Sequence, residues 1–137
     1  MACGYYGGKL DAIVMRLWDA ILSFPSLLLA FIFVAVFGKS SINAVMALGV
    51  VYIPMISKLS RSMTMTEITK TYVEAAHSLG YSDRRIIFVH ILPNCIGTML
   101  AELTLDVGSA IMGLASLSFL GLGVQPPTPT WGGMISD

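Results

Sequence analysis

The sequence predicts an all-α membrane protein, and three observations predict it. Uncharged apolar runs of about the length that crosses a bilayer recur along its 137 residues. Charged residues make up 12% against 55% hydrophobic, with a mean hydropathy of +0.79. Half of the charge collects in one segment, residues 58 to 85. An ordinary soluble domain is about 25% charged. Eight basic and eight acidic side chains cannot coat this chain as a soluble one. The ample apolar surface excludes disorder, and a formal net charge of 0 gives no basic field for nucleic acid. Cys3 and Cys95 fit neither a disulfide framework nor a metal motif.

The elements follow in order. The opening, GYYGGKLD at 4 to 11, is a glycine-rich turn. Gly7 and Gly8 mark the foot of an earlier helix. Residues 20 to 38 carry no charge between Asp19 and Lys39, 19 residues in all. As a helix that run spans about 28 Å, close to a hydrocarbon core. Pro25 falls near one end, where a kink or a first-turn position is tolerated. A tight turn at Gly38 and Lys39 leads into residues 40 to 57, a second uncharged run of 18 residues. Asn43, Gly49 and Pro54 make it less oily, as packed membrane helices allow.

Residues 58 to 94 are different material. Residues 58 to 85 hold Lys58, Arg61, Lys70, Arg84 and Arg85 against Glu67, Glu74 and Asp83. Tyr72, Ala75, Ala76 and Leu79 fall on one side of a helix. Gly80 supplies a cap or turn, and Asp83 an N-cap for a second short helix ending at Leu92-Pro93-Asn94. The expected element is helix, glycine turn, helix, proline. A third span covers approximately 95 to 120, with Glu102 and Asp106 either inside it or in its first turn. Gly97, Ala101, Gly108, Ser109 and Gly113 permit close helix packing. Asn43, Glu102 and Asp106 lack evident partners, which argues for more protein within the membrane. The tail, 125 to 137, opens on Pro126-Pro127 and cannot continue that helix.

Charge orients these spans. Five basic residues put the 58 to 94 loop on the cytoplasmic side, with Lys9 and Arg16 beside it. The 38 to 40 turn and the tail then lie outside, and the count is about three crossings.

Catalytic chemistry is weakly represented. His77 and His90 lack a third ligand at motif spacing, so no metal site is expected. No serine sits in a nucleophile elbow, and no glycine loop with Lys and Ser or Thr cradles phosphate. The chain is expected to be no enzyme and to bind no cofactor. If ATP is used, another chain binds it.

The segment EAAHSLG at 74 to 80, followed by ILPN at 91 to 94, resembles the EAA motif of bacterial binding-protein-dependent ABC importer permeases. RIIFVHILPN at 85 to 94, FPSLLLA at 24 to 30 and LSFLGLGVQPPTPTWG at 117 to 132 resemble the dipeptide, oligopeptide and nickel uptake group, as does GYYGGKLD. The resemblance covers essentially the whole chain. It implies part of an ABC importer permease domain in the bacterial inner membrane, with a cytoplasmic coupling-helix loop. A second permease subunit, two cytoplasmic ATPase subunits that use the ATP, and an external substrate-binding protein are the implied partners, with lipid around the spans. Glu74, Ala75, Ala76 and Gly80 would be the central ATPase-docking positions. Arg84, Arg85, His90, Pro93 and Asn94 would shape or support the same element. The chain resembles the third, fourth and fifth helices of such a permease, hence a partial chain. Peptides are the expected solute. Alternatives are nickel or another small solute such as glutathione, or a non-transporting membrane adaptor or degenerate fragment.

Overall fold

In a computed structural model the described residues are 1–123 and 131–136. They are helical, with no strand among them. The helices are α1 (Ala2–Tyr6), α2 (Gly8–Leu22), α3 (Ser26–Phe37), α4 (Ser41–Ile68), α5 (Thr71–Ser78), α6 (Asp83–Arg85), α7 (Leu92–Phe119) and α8 (Trp131–Ser136). A π-helical stretch, Ile86–Ile91, joins α6 to α7. The Pro126-Pro127 step expected to open the tail lies outside the described residues.

The chain divides into two compact units. The first comprises Met1–Asp19 and Met55–Leu103. Its core is Val73, Ala76, Ile86, Ile91 and Cys95, with Tyr5, Tyr72 and Tyr81 packed around them. The second comprises Ala20–Pro54 and Thr104–Asp137. Its core is Ala30, Val34, Ala44, Ala47, Leu48, Leu117 and Leu122. Three of those seven are alanines, and lipid offers no hydrophobic reward for helix association. Close van der Waals approach has to supply it.

The charge-free run 20 to 38 is not one helix. α2 stops at Leu22, α3 starts at Ser26, and the pair is bent by 86°. Pro25 causes the break. It disfavours helical backbone at Phe24 and stands as N-cap of α3 with extended ψ, 128°. α3 alone has 12 residues, about 18 Å, short of a hydrocarbon core of about 30 Å. α4 is long and apolar enough to cross, as is the stretch Asp83–Phe119, and the bent pair could make a third crossing.

Gly38 closes α3 at φ 97°, a backbone region open to glycine. Asn43 is not partnerless: its side-chain amide donates to the carbonyls of Phe37 (2.8 Å) and Gly38 (2.9 Å). Ser40 Oγ accepts from the Asn43 backbone N–H at 3.1 Å, an N-cap bond. α4 runs through Pro54 and on to Ile68, well past the uncharged run.

Pro93 does not end the second loop helix. The segment from Asp83 continues through it into α7. Proline normally costs the helix a hydrogen bond and clashes with the turn before it. Here the wider π turn precedes it, with Leu92 N–H donating to Ile87 O. The Asn94 amide donates to the His90 carbonyl at 2.7 Å. Glu102 and Asp106 therefore sit mid-helix, not in a first turn. Among the proposed packing residues, Gly113 meets Leu48, whereas no described residue beyond the local helix backbone lies within 4 Å of a Cβ built at Gly97 or Gly108.

Candidate coupling surface

The surface is built around one glycine. α5 begins after Lys70, whose extended backbone serves as the N-cap. It ends in a turn at Leu79 and Gly80, with Gly80 at φ 76°. Tyr81 N–H donates to Ala76 O (3.2 Å) and Gly80 N–H to His77 O (2.9 Å). These paired bonds form a Schellman motif with Gly80 at the left-handed position, so a side chain there is strained. Ser82, with ψ 148°, then opens α6.

Burial sorts the expected docking residues. Glu74, Ala75 and Gly80 are exposed, and Glu74 has no ion pair among the described residues. Ala76 is 3% exposed and packs inward with Val73, Ile86 and Ile91. Ala75 and Leu79 point outward, so the buried face is Val73 and Ala76 flanked by Tyr72, one step round from the face expected. Ala76 shapes the element from inside; Glu74 and Ala75 form its outward face.

Arg84 and Arg85 are exposed. Arg85 lies over the Tyr81 ring, 4.5 Å from its centroid, a cation–π contact. His90 stacks on Tyr81, with centroids 5.6 Å apart and planes 9° apart. Tyr81 thus brings two expected residues, Arg85 and His90, into one group. The Nε2 of His90 is buried without a hydrogen-bond partner among the described residues. Pro93 acts on the helix backbone instead, as described above, and Asn94 bonds both that backbone and the Tyr72 hydroxyl. Glu74 makes no side-chain hydrogen bond or ion pair with any of them among the described residues.

The sequence reading missed what holds this element. Arg61 grips Asp11 with two hydrogen bonds, Nε to Oδ1 and an Nη to Oδ2, each 2.5 Å. Lys58 pairs with Asp19. Glu67 accepts from Lys70 (2.5 Å) and from the Tyr72 hydroxyl (2.6 Å). Burial, and then that bond to Glu67, pushes the Tyr72 phenol up to about 12. Tyr5 of α1 lies against both His77 and Asp83. The available signal was the set of tyrosines in polar surroundings: a half-buried phenol needs a partner for its hydroxyl. No group of three His, Cys, Asp or Glu that could hold a metal occurs among the described residues.

The profile of the family described as binding-protein-dependent transport system inner membrane component matches residues 1–137. The chain belongs to this family. It is part of a multi-pass inner-membrane protein, and its helical make-up agrees with a partial permease domain. The chain is 43% identical over 137 residues to the di/tripeptide transport system permease protein DppC of Pseudomonas aeruginosa. To the dipeptide transport system permease protein DppC of Alkalihalophilus pseudofirmus it is 42% identical over 137 residues. In each case the alignment takes in 100% of this chain and 45% of the relative. It is 41% identical over 133 residues to the glutathione transport system permease protein GsiD of Escherichia coli O157:H7, covering 97% of this chain and 44% of that protein. The chain thus spans less than half the length of these curated relatives, all of them permease subunits by name.

Proposed function

We propose that this chain forms part of the translocation pathway of an ATP-driven importer of small peptides. Residues 58 to 94 face the cytosol and dock onto a separate ATPase subunit, which binds and hydrolyses the ATP. A second permease subunit completes the channel, a second ATPase subunit completes the motor, and an external binding protein delivers the solute. The solute reading rests on the relatives, named for dipeptides, di/tripeptides and glutathione, itself a small peptide.

One observation carries the docking reading. The exposed Glu74 and Ala75 stand on a short helix that is buried behind, sharply capped at Gly80 and continuous beyond it with a helix of membrane-crossing character. Such an element can receive a push at one end and hand it to the membrane as rigid-body motion. Ala75 lets a partner's backbone approach closely. Glu74 offers a carboxylate for a basic group on the ATPase. Arg84 and Arg85 flank the surface, while Ala76, His90, Pro93 and Asn94 set its shape.

The test replaces Glu74→Ala and Gly80→Val in the permease assembled with its ATPase subunits. Solute-stimulated ATPase activity is expected to fall by about ten-fold or more, the size of a lost charge-assisted contact. Unchanged coupling in both variants would sink the docking reading. Orientation is read from His77→Cys in intact cells: labelling by a membrane-impermeant reagent applied outside would reverse the topology.

A further inference from the structure

The two arms of the coupling element are not joined through Gly80 alone. Tyr5, on α1, reaches both. Its hydroxyl lies 3.0 Å from Asp83 Oδ1, after the glycine, and 3.0 Å from His77 Nε2, before it. Its ring also stacks on His77, with centroids 6.2 Å apart and planes 22° apart.

The proton inventory fixes the direction of these bonds. An ionised carboxylate only accepts, so the single phenolic proton goes to Asp83. The hydroxyl oxygen then accepts from His77, which carries its proton on Nε2. Burial, followed by the bond to Asp83, pushes the Tyr5 phenol up to about 12, so it remains a donor at neutral pH. α1 has five residues, too few to persist without packing. It is anchored by Gly4, where an added Cβ would stand 2.8 Å from the Arg61 carbonyl oxygen.

We propose that Tyr5 is a positioning residue of the coupling element: its hydroxyl bridges His77 and Asp83 across Gly80, so that α5 and α6 move as one piece. The proposal rests on the docking reading above. A glycine at a turn has broad backbone freedom. The packing of Val73 and Ala76 on Ile86 and Ile91 joins the arms without fixing their angle, so part of a displacement of α5 would be lost in bending at Gly80 before it reached α7. The Tyr5 bridge closes that route and ties the element to α1 as well.

The experiment uses Tyr5→Phe, Asp83→Ala, their double variant and Asp83→Asn in the permease assembled with its ATPase subunits in lipid vesicles. Phenylalanine keeps the ring and its stacking but removes the hydroxyl, whereas asparagine still offers an acceptor oxygen. Amide hydrogen exchange across residues 78 to 83 is expected to rise by about ten-fold in Tyr5→Phe and in Asp83→Ala, the scale of a charge-assisted hydrogen bond. Peptide imported per ATP hydrolysed should fall several-fold in both, with ATPase association unchanged. The double variant should be no worse than either single, since both remove one bond, and Asp83→Asn, which keeps a neutral acceptor, should fall between the parent and Asp83→Ala. Unchanged exchange and import per ATP in Tyr5→Phe would overturn the proposal. So would multiplied effects in the double variant, or Asp83→Asn behaving like Asp83→Ala. Failure of the docking reading is separable: it shows as unaltered coupling in the Glu74 and Gly80 variants, while the exchange measurement still reports on the bridge.

Discussion

The two units of the chain are held together by different chemistry. In the first, polar side chains from distant parts of the sequence clasp one another: Asp11 with Arg61, Asp19 with Lys58, Tyr5 with Asp83. In the second, described serines return their hydroxyls to the carbonyl one turn back and Asn43 caps its own turn, with Tyr52 and Ser109 joined across helices. Its packing relies on alanines, Val34, Leu48 and Leu117. The difference follows from the solvent each composition suits. Where water competes, a fixed geometry comes from bidentate or buried polar pairs that water cannot match. Where lipid surrounds the helices, backbone polar groups are satisfied within one helix, and tight approach does the joining.

The sharpest test of that contrast is a single methyl group at two glycines. At Gly4 the added Cβ would meet backbone, the Arg61 carbonyl oxygen at 2.8 Å and Arg61 Cα at 3.3 Å, with Thr64 Cβ at 3.1 Å. Backbone cannot swing aside, so Gly4→Ala is expected to destabilise the first unit by about 1–3 kcal/mol. At Gly113 the Cβ would meet Leu48 Cδ2 at 3.1 Å, the end of a flexible side chain. Gly113→Ala should cost less than about 1 kcal/mol, helped by alanine's better helix propensity. Thermal unfolding in one detergent or lipid condition compares them. Equal losses would mean that the two units do not differ in how rigidly they are packed.

A smaller effect is expected at Asn43, where the second unit does use polar atoms. Asn43→Ala strips both donors from the carbonyls of Phe37 and Gly38. A loss of about 1 kcal/mol is expected, with increased protease cleavage near the 38 to 40 turn. Asn43→Asp should not rescue it, because a carboxylate has no N–H to give. Full stability in Asn43→Ala would show that the backbone bond to Ser40, which every variant keeps, holds the turn without the amide.

Local chemistry was legible in the sequence, and pairing was not. Pro25 was legible as a tolerated kink or first-turn position near the end of a single 20 to 38 span, because its ring acts on its immediate neighbours, but not as the full break it makes. Gly80 and Gly38 marked turns because each takes a left-handed backbone. The second and third apolar runs marked the long helices, since length and hydropathy are sums over one segment, whereas the first, 20 to 38, is broken between α2 and α3. Pro93 misled because its rule assumes an α-helical turn before it, and the π turn at 86–91 changes that geometry. The face of α5 was read one step off: Tyr72, Ala75, Ala76 and Leu79 share a helical side, but the core selects Val73 and Ala76. Tyr5 and Asp83 stand 78 residues apart and Asp11 and Arg61 stand 50 apart. No periodicity links such pairs; only the folded chain brings them together.

The smallest expected effect concerns the Asp11–Arg61 pair and its response to acid. The hydrogen bonds from Arg61, more than its charge, hold the Asp11 carboxyl below its ordinary value of 3.8, against a raising effect of burial. A carboxyl whose folded-state value is depressed contributes its stabilisation above the unfolded value. That contribution is lost as pH falls through the folded one. The contact between α2 and α4 should therefore be constant from neutral pH down to the ordinary carboxylate range and loosen only below it. Trp18, half-buried on α2, offers a local fluorescence reporter, with Trp131→Phe removing the other indole. In Asp11→Asn, which cannot ionise, the acid-linked change in Trp18 emission should vanish and the neutral-pH emission should already resemble the acid form. An identical acid transition in Asp11→Asn would assign it to another carboxylate, with Asp19 beside Lys58 the next to replace.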